Sequence, residues 1–260
     1  MNELCRVELS EHCAVVTLNR PDRSNALSRA LLLTLGEVGR QLSQDPSVRA
    51  VVLTAEGNRA FCAGADLKER RSMSDDEVRA QLDLYQSELG WLSAPHFPTV
   101  AAINGVALGG GLELALMCDF RVAARHAWLG LPETSLGIIP GAGGTQRLVR
   151  VIGEARAKEL ILLGTRLSAE QALAVGLVHR VVESVDQLLP ETLAMIRPVL
   201  EGAPIAQRAA LRAIAAASEL PLALGLAVEK ECYEACLTSA DRKEALAAFE
   251  EKRRPNFTGR

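Results

Sequence analysis

Two glutamates stand out by their surroundings. Glu113 follows three glycines inside an apolar run, Val106-Ala-Leu-Gly-Gly-Gly-Leu-Glu-Leu-Ala-Leu-Met-Cys118. Glu133 lies in Gly130-Leu-Pro-Glu-Thr-Ser-Leu-Gly137, just before a second glycine cluster, Pro140-Gly-Ala-Gly-Gly144. A carboxylate is costly to bury without partners. An acid in an apolar, glycine-rich stretch therefore reads as a working group, and two of them suggest paired acid/base chemistry.

The glycines carry a second signal. Gly109-Gly110-Gly111 stands where a helix begins, so its N–H groups and the helix dipole favour negative charge, either a phosphate or a developing oxyanion. The spacing matches neither dinucleotide nor P-loop fingerprints. Phe61-Cys-Ala-Gly-Ala-Asp66 is another small-residue loop directly after a strand. One N–H from each loop can form an oxyanion hole, worth about 3–4 kcal/mol per donor in the transition state. Together with two carboxylates, this set suits proton transfer alpha to a thioester carbonyl, through an enolate. Taken singly, each feature has a plainer reading. Triple glycine is also a helix–strand packing device, Asp66 and Asp119 read as caps, and Trp128 reads as core. His12, His96, His126 and His179 lack partners in sequence and receive no catalytic role.

The elements around these residues alternate. Arg6–Leu9 and Ala14–Asn19 read as a hairpin. A helix is expected over Ser28–Ser43, with Leu31, Leu35, Val38 and Leu42 on one face. Val48–Thr54 reads as a buried strand and Ala60–Asp66 as a loop. Ser74-Asp-Asp-Glu77 is a capping box for a helix running to about Ser93, ended by Pro95 and Pro98. Thr99–Ile103 and Phe120–Ala123 read as strands, and Asn104-Gly105 as a turn. This alternation, lasting to about residue 183, predicts α/β organisation with parallel pairing. From about Leu188 to Arg254 the pattern is almost wholly helical, with a further capping signal at Asp241-Arg-Lys-Glu244. The expected division is a core over 1–190 and a helical region over 191–260, packed on another subunit.

Bulk properties exclude other classes. The 260 residues carry a formal net charge of −3 and are 48% apolar and 23% charged, ordinary globular values that give no global pull toward nucleic acid or anionic membrane. No apolar run approaches the ~18 residues of a membrane span, and no signal peptide is evident, so a cytoplasmic location is expected. The six cysteines form no C-x-x-C pair and lie near no histidine at zinc spacing. They read as buried thiols, Cys232 and Cys236 included, and no metal is expected.

The motifs together resemble the enoyl-CoA hydratase/isomerase (crotonase) family along essentially the whole chain. They are Asn19-Arg-Pro-Asp-Arg-Ser-Asn-Ala-Leu27, Phe61-Cys-Ala-Gly-Ala-Asp-Leu-Lys68, Ala102 to Ala115, and Pro132 to Arg147. The resemblance implies a spiral of ββα units, a helical C-terminal trimerisation region, and a homo-oligomer, trimer or hexamer built as two trimers. It implies an oxyanion hole from the N–H groups of Ala65 and Gly110, with Glu113 and Glu133 holding one water between them. Coenzyme A contacts would come from Arg23, Ser24 and Ala26, and from Ala63, Asp66, Leu67 and Lys68 beside Gly109. Phe249 and Lys252 would reach a neighbour's coenzyme A. The acyl-CoA thioester is the substrate, and no separate cofactor is implied. Keeping both glutamates favours a hydratase over an isomerase or thioesterase.

A closer resemblance, to the methylglutaconyl-CoA hydratases of leucine breakdown, rests on Cys62 to Arg70, Leu108 to Leu116 and Ala157-Lys-Glu-Leu160. It implies hydration of 3-methylglutaconyl-CoA to 3-hydroxy-3-methylglutaryl-CoA or the reverse. Its acyl carboxylate calls for a cation, with Lys68, Arg70, Arg71 and Arg79 as candidates. One member of that group binds AU-rich RNA through lysines on its first helix. Here Arg29–Ser43 offers only Arg29 and Arg40, opposed by Glu37, so no specific RNA binding is expected. The alternatives are a general crotonyl-CoA hydratase, an enoyl-CoA isomerase, and an RNA-binding protein on the same fold.

Overall fold

The computed structural model describes residues 4–94 and 96–260. The amino-terminal hairpin is β1 (Cys5–Ser10) and β2 (Cys13–Leu18), antiparallel. Helix α1 (Arg29–Gln44) starts where Ser28 Oγ accepts the Leu31 N–H at 3.2 Å, and buries Leu31, Leu35, Val38 and Leu42 as the periodicity predicts. Next come β3 (Ala50–Ala55), β4 (Ala60–Cys62), the single turn α2 (Leu67–Arg70) and α3 (Asp75–Leu89). The Ser74/Glu77 capping box forms. Helix α3 stops before the expected prolines and passes into a 3-10 turn, Gly90–Ser93. Pro95 lies outside the described residues.

The pattern then repeats: β5 (Thr99–Ile103), β6 (Val106–Leu108) and α4 (Gly110–Met117), followed by β7 (Phe120–Ala124), β8 (Trp128–Gly130), α5 (Gly144–Ile152) and α6 (Glu154–Leu162). β9 (Arg166–Ser168), α7 (Ala169–Ala174) and β10 (Arg180–Val182) complete the alternating part. Among the described residues one sheet has the order β1-β2-β3-β5-β7-β10, parallel except for the hairpin; a second, made only of three-residue strands, has the order β4-β6-β8-β9, parallel except for β9. The pairs β3–β4, β5–β6 and β7–β8 thus each send their first strand to the large sheet and their second to the small one. One main core, with Leu31, Leu53, Phe61 and Leu112, fills the space between sheets and helices.

Helix α8 (Val185–Leu200) covers the other face of the large sheet, setting Leu188 and Ile196 on Val52, Val100 and Val122. It runs straight across the boundary expected at residue 190. Helices α9 (Pro204–Ala217), α10 (Leu222–Leu237) and α11 (Ala240–Glu250) finish the chain.

Several local expectations change. Ala60–Cys62 is a strand rather than part of a loop. Helix α11 is capped by Ser239, whose Oγ accepts the Arg242 N–H at 3.1 Å. Asp241, expected to cap, instead accepts the N–H groups of Thr258 (2.7 Å) and Gly259 (2.9 Å). Trp128 is 46% exposed, not core: Leu129, its alternate neighbour on the strand, takes the inward face. Five cysteines are buried and Cys236 is partly so. No helix among the described residues is long and apolar enough to cross a membrane.

Candidate active site

Parallel pairing of β4, β6 and β8 brings three strand ends to one edge. The loops that follow them meet there: Ala63-Gly64-Ala65 after β4, Gly109-Gly110 after β6, and Pro132-Glu133 after β8. Crevices outside the carboxyl ends of parallel strands are common ligand sites. Here the crevice is a cavity of about 270 Å³, lined by Ala63, Ala65, Gly110, Glu113, Glu133 and Tyr85 among others.

The β4 loop is held by its neighbours. Leu27 donates to Gly64 O (2.8 Å) and accepts from the Asp66 N–H (3.1 Å). A bridge of that form uses the residues on either side of Ala65 and turns the N–H of Ala65 itself the other way. Gly110 is the first residue of α4, where an N–H has no partner within the helix. A Cβ placed on Gly110 would lie 3.6 Å from Ala65 N, so the two N–H groups are close neighbours. Neither donates a backbone hydrogen bond within the described residues.

The two carboxyls differ in support. Glu113 is 3% exposed. Its Oε1 accepts the N–H groups of Ala142 (2.8 Å) and Gly144 (2.7 Å). Arg147 donates in turn to Ala142 O at 3.2 Å, so a guanidinium braces the loop that braces Glu113. Burial raises the Glu113 carboxyl above its ordinary range, while these N–H groups and the Arg147 charge pull it back. Glu133 is 8% exposed and opens the 3-10 turn Glu133–Leu136. Its Oε2 is buried without a hydrogen-bond partner among the described residues. Burial pushes it to about 7, against its own backbone N–H and with a smaller contribution from the Glu113 charge. Gly109 makes room for this carboxyl: its φ is +53°, and a Cβ there would meet Glu133 Oε1 at 3.0 Å. The Cys62 thiol nearby is pushed up to about 12 by burial, which removes it as a nucleophile.

Of the residues picked out from the sequence, the structure gathers Ala63, Ala65, Leu67, Gly109, Gly110, Glu113 and Glu133 around the cavity. Arg23, Ser24, Ala26, Asp66, Lys68, Phe249 and Lys252 lie outside its lining. Asp66 is occupied structurally. It caps α2 and pairs with Arg20 at 2.9 Å; burial opposes its ionised form, but Arg20 and the α2 N–H groups outweigh this and hold it below the ordinary carboxylate range. Asp119 likewise accepts from Thr99 N (2.7 Å) and Oγ1 (2.9 Å). Phe249 stands out in solvent on α11. Of the four candidate cations, Arg70 lines the cavity; Lys68 and Arg71 do not, and Arg79 pairs with Asp76 at 2.6 Å. Sequence reasoning missed Tyr85, Arg166 and the two N–H donors to Glu113. The glycine cluster before Arg147 was the only sign of those donors.

A family model described as enoyl-CoA hydratase/isomerase matches residues 8–260. The chain belongs to the enoyl-CoA hydratase/isomerase family. It is 48% identical over 250 residues to the putative enoyl-CoA hydratase/isomerase YngF of Bacillus subtilis, covering 96% of each chain. It is 45% identical over 248 residues to the mitochondrial methylglutaconyl-CoA hydratase of Mus musculus, covering 94% of this chain and 79% of that one. The solved structure of an enoyl-CoA hydratase from Bacillus anthracis superposes with a TM-score of 0.96 at 45% identity, over 99% of this chain and 100% of the other. The crotonase-like α/β fold with its helical C-terminal region is therefore that of an enoyl-CoA hydratase/isomerase family enzyme.

Proposed function

We propose that this family member is a hydratase that adds water across the double bond of an enoyl-CoA thioester, reversibly. The observation that carries this reading is the pair of buried carboxyls, Glu113 and Glu133, on one cavity beside the unused N–H groups of Ala65 and Gly110. An isomerase needs one carboxyl that takes a proton and returns it; water addition has work for two.

In this mechanism the thioester oxygen accepts from Ala65 N–H and Gly110 N–H. Glu113, whose ionised form has donors, removes a proton from water as the water oxygen bonds Cβ. Electron density moves from the double bond onto the thioester oxygen, and the enolate is held by the two N–H groups. Glu133, kept protonated near neutrality, then delivers its proton to Cα. The carboxyls have exchanged protonation states, and a proton passes back between them or through solvent before the next turnover.

The finer reading is hydration of 3-methylglutaconyl-CoA to 3-hydroxy-3-methylglutaryl-CoA. It is supported by similarity to the mouse methylglutaconyl-CoA hydratase and by the arginine at the cavity wall. Coenzyme A lies along the outer side of the β4 loop, near Arg23 and Lys68, and no other cofactor enters. A panel of enoyl-CoA thioesters, followed by loss of the ultraviolet band of the conjugated thioester, tests both levels. Glu113→Gln and Glu133→Gln each lower kcat by about 10²–10⁴-fold; near-normal rates would sink the two-carboxyl mechanism. Crotonyl-CoA turned over far faster than 3-methylglutaconyl-CoA would leave a general short-chain hydratase.

A further inference from the structure

Arg147 does not line the cavity, yet it and Glu113 hold the same short turn, Ala142–Gly144, by different atoms. Glu113 Oε1 accepts the N–H groups of Ala142 (2.8 Å) and Gly144 (2.7 Å). Arg147 Nη1 donates to Ala142 O at 3.2 Å. Two glycines let both side chains approach. A Cβ on Gly143 would meet Arg147 Nη1 at 2.1 Å, and one on Gly144 would meet Glu113 Oε1 at 2.9 Å. The turn itself needs glycine, because Gly143 has a φ of +98°.

The fold gives Arg147 no other anchor. It sits in the first turn of α5, where the helix dipole disfavours a cation. It is partly buried, which disfavours its charge further, while the Glu113 carboxylate favours it. Among the described residues its side chain forms no ion pair, and the bond to Ala142 O is its one hydrogen bond. Arg150, one turn on, is exposed and bonds Gln146 O at 3.0 Å. The other titratable groups around Glu113 are the Cys62 thiol from β4, the Tyr85 phenol from α3 and the Glu133 carboxyl after β8. Burial raises all three, so none supplies positive charge. Arg70 and Arg166 line the cavity, but neither donates to the turn among the described residues. Without the guanidinium the turn loses its side-chain tether, and the donors on Glu113 loosen with it. A buried carboxyl deprived of donors and of a nearby cation keeps its proton. Both site acids would then be protonated over the same range, and neither would be ready to take a proton from water.

We propose that Arg147 is a positioning residue for hydration: by tethering the Ala142–Gly144 turn it keeps two N–H donors on Glu113, and so makes Glu113 rather than Glu133 the ionised member of the pair. The inference rests on the two-carboxyl reading of the site and adds the group that divides the labour between the two acids.

The test is kcat and KM for crotonyl-CoA across pH in the wild-type chain, Arg147→Gln, Arg147→Lys and the control Arg150→Gln. Losing the cation raises the Glu113 carboxyl, so the rising acid limb of kcat/KM moves to higher pH. In Arg147→Gln that limb is expected to move up by about one pH unit or more, with kcat lowered about 10–10²-fold. KM stays close to wild type, because Arg147 is outside the cavity. Arg147→Lys keeps the charge and falls between the two, and Arg150→Gln matches wild type. An acid limb that stays in place would overturn the proposal even with kcat reduced, since Arg147 would then serve the fold alone. A raised KM with kcat intact would overturn it too and would assign Arg147 to the coenzyme A portion. A second measurement needs no turnover. The infrared carboxyl band of Glu133→Gln, less that of Glu113→Gln/Glu133→Gln, isolates Glu113 and is titrated with and without Arg147→Gln. The band is expected to persist to higher pH without the guanidinium, and an unshifted band would sink the inference. The hydratase reading fails separately, through near-normal turnover by Glu113→Gln.

Discussion

Glu113 and Glu133 share a cavity but not an environment. The carboxyl with two N–H donors is the easier one to ionise, and the carboxyl with an unpartnered buried oxygen holds the proton near neutrality. The pair is therefore expected to work as a monoanion, titrating as a unit. Hydration kcat/KM should decline as pH rises through about 7, where Glu133 loses its proton; a profile flat from pH 6 to 9 would contradict the assignment. Stability follows the same proton. Between the ordinary glutamate range and about 7, the folded chain keeps a proton that the unfolded chain has released. Stability contributed by Glu133 thus falls as pH rises across that window. Glu133→Gln should flatten this slope and, at pH 8, gain about 1–2 kcal/mol over wild type while losing activity, as read by urea titration at several pH values. Both glutamates were legible in the sequence because acids in apolar runs are conspicuous. The asymmetry between them was not, since the donors of Ala142 and Gly144 come from a loop that only folding brings to Glu113.

The elements that place these residues are short. β4, β6, β8 and β9 have three residues each, too few for a two-residue alternation to register, so the second sheet left no strand pattern and its first strand read as part of a loop. The long strands, the capped helices and the helix carrying Glu113 were plain, because six apolar residues or a Ser-x-x-Glu box leave a pattern. Arg166 escaped notice for the same reason as β9: it joins the site through an antiparallel strand pairing far along the chain. Helix α4 depends on close contact with β4. A Cβ on Gly111 would sit 1.9 Å from Cys62 O, a backbone atom with little room to retreat. Gly111→Ala should therefore push α4 away from β4 and cost about 2–4 kcal/mol in chemical denaturation. It should also lower kcat, because Gly110 and Glu113 ride on that helix. Wild-type stability in the Gly111→Ala chain would show that α4 can slide freely on the small sheet.

At the scale of the molecule, the C-terminal helices bury little within their own chain. On α10 only Cys232 is buried, while Leu222 is 79% exposed; on α11 Phe249 is 83% exposed. Exposed apolar surface of this extent fits contact with further copies of the chain, and we propose a trimer or a dimer of trimers. Light scattering should give one of those masses, and Leu222→Asp should shift it toward the monomer; a monomeric wild-type chain would rule the assembly out. The small sheet has a kinetic consequence. Its four strands come from residues 60–62, 106–108, 128–130 and 166–168. Helices α1 and α3 can form from local sequence, but the cavity closes only after these distant segments have found one another, against the entropy of long loops. On refolding from urea, helical signal should return first, and the ability to capture a thioester should arrive as a later, separate phase.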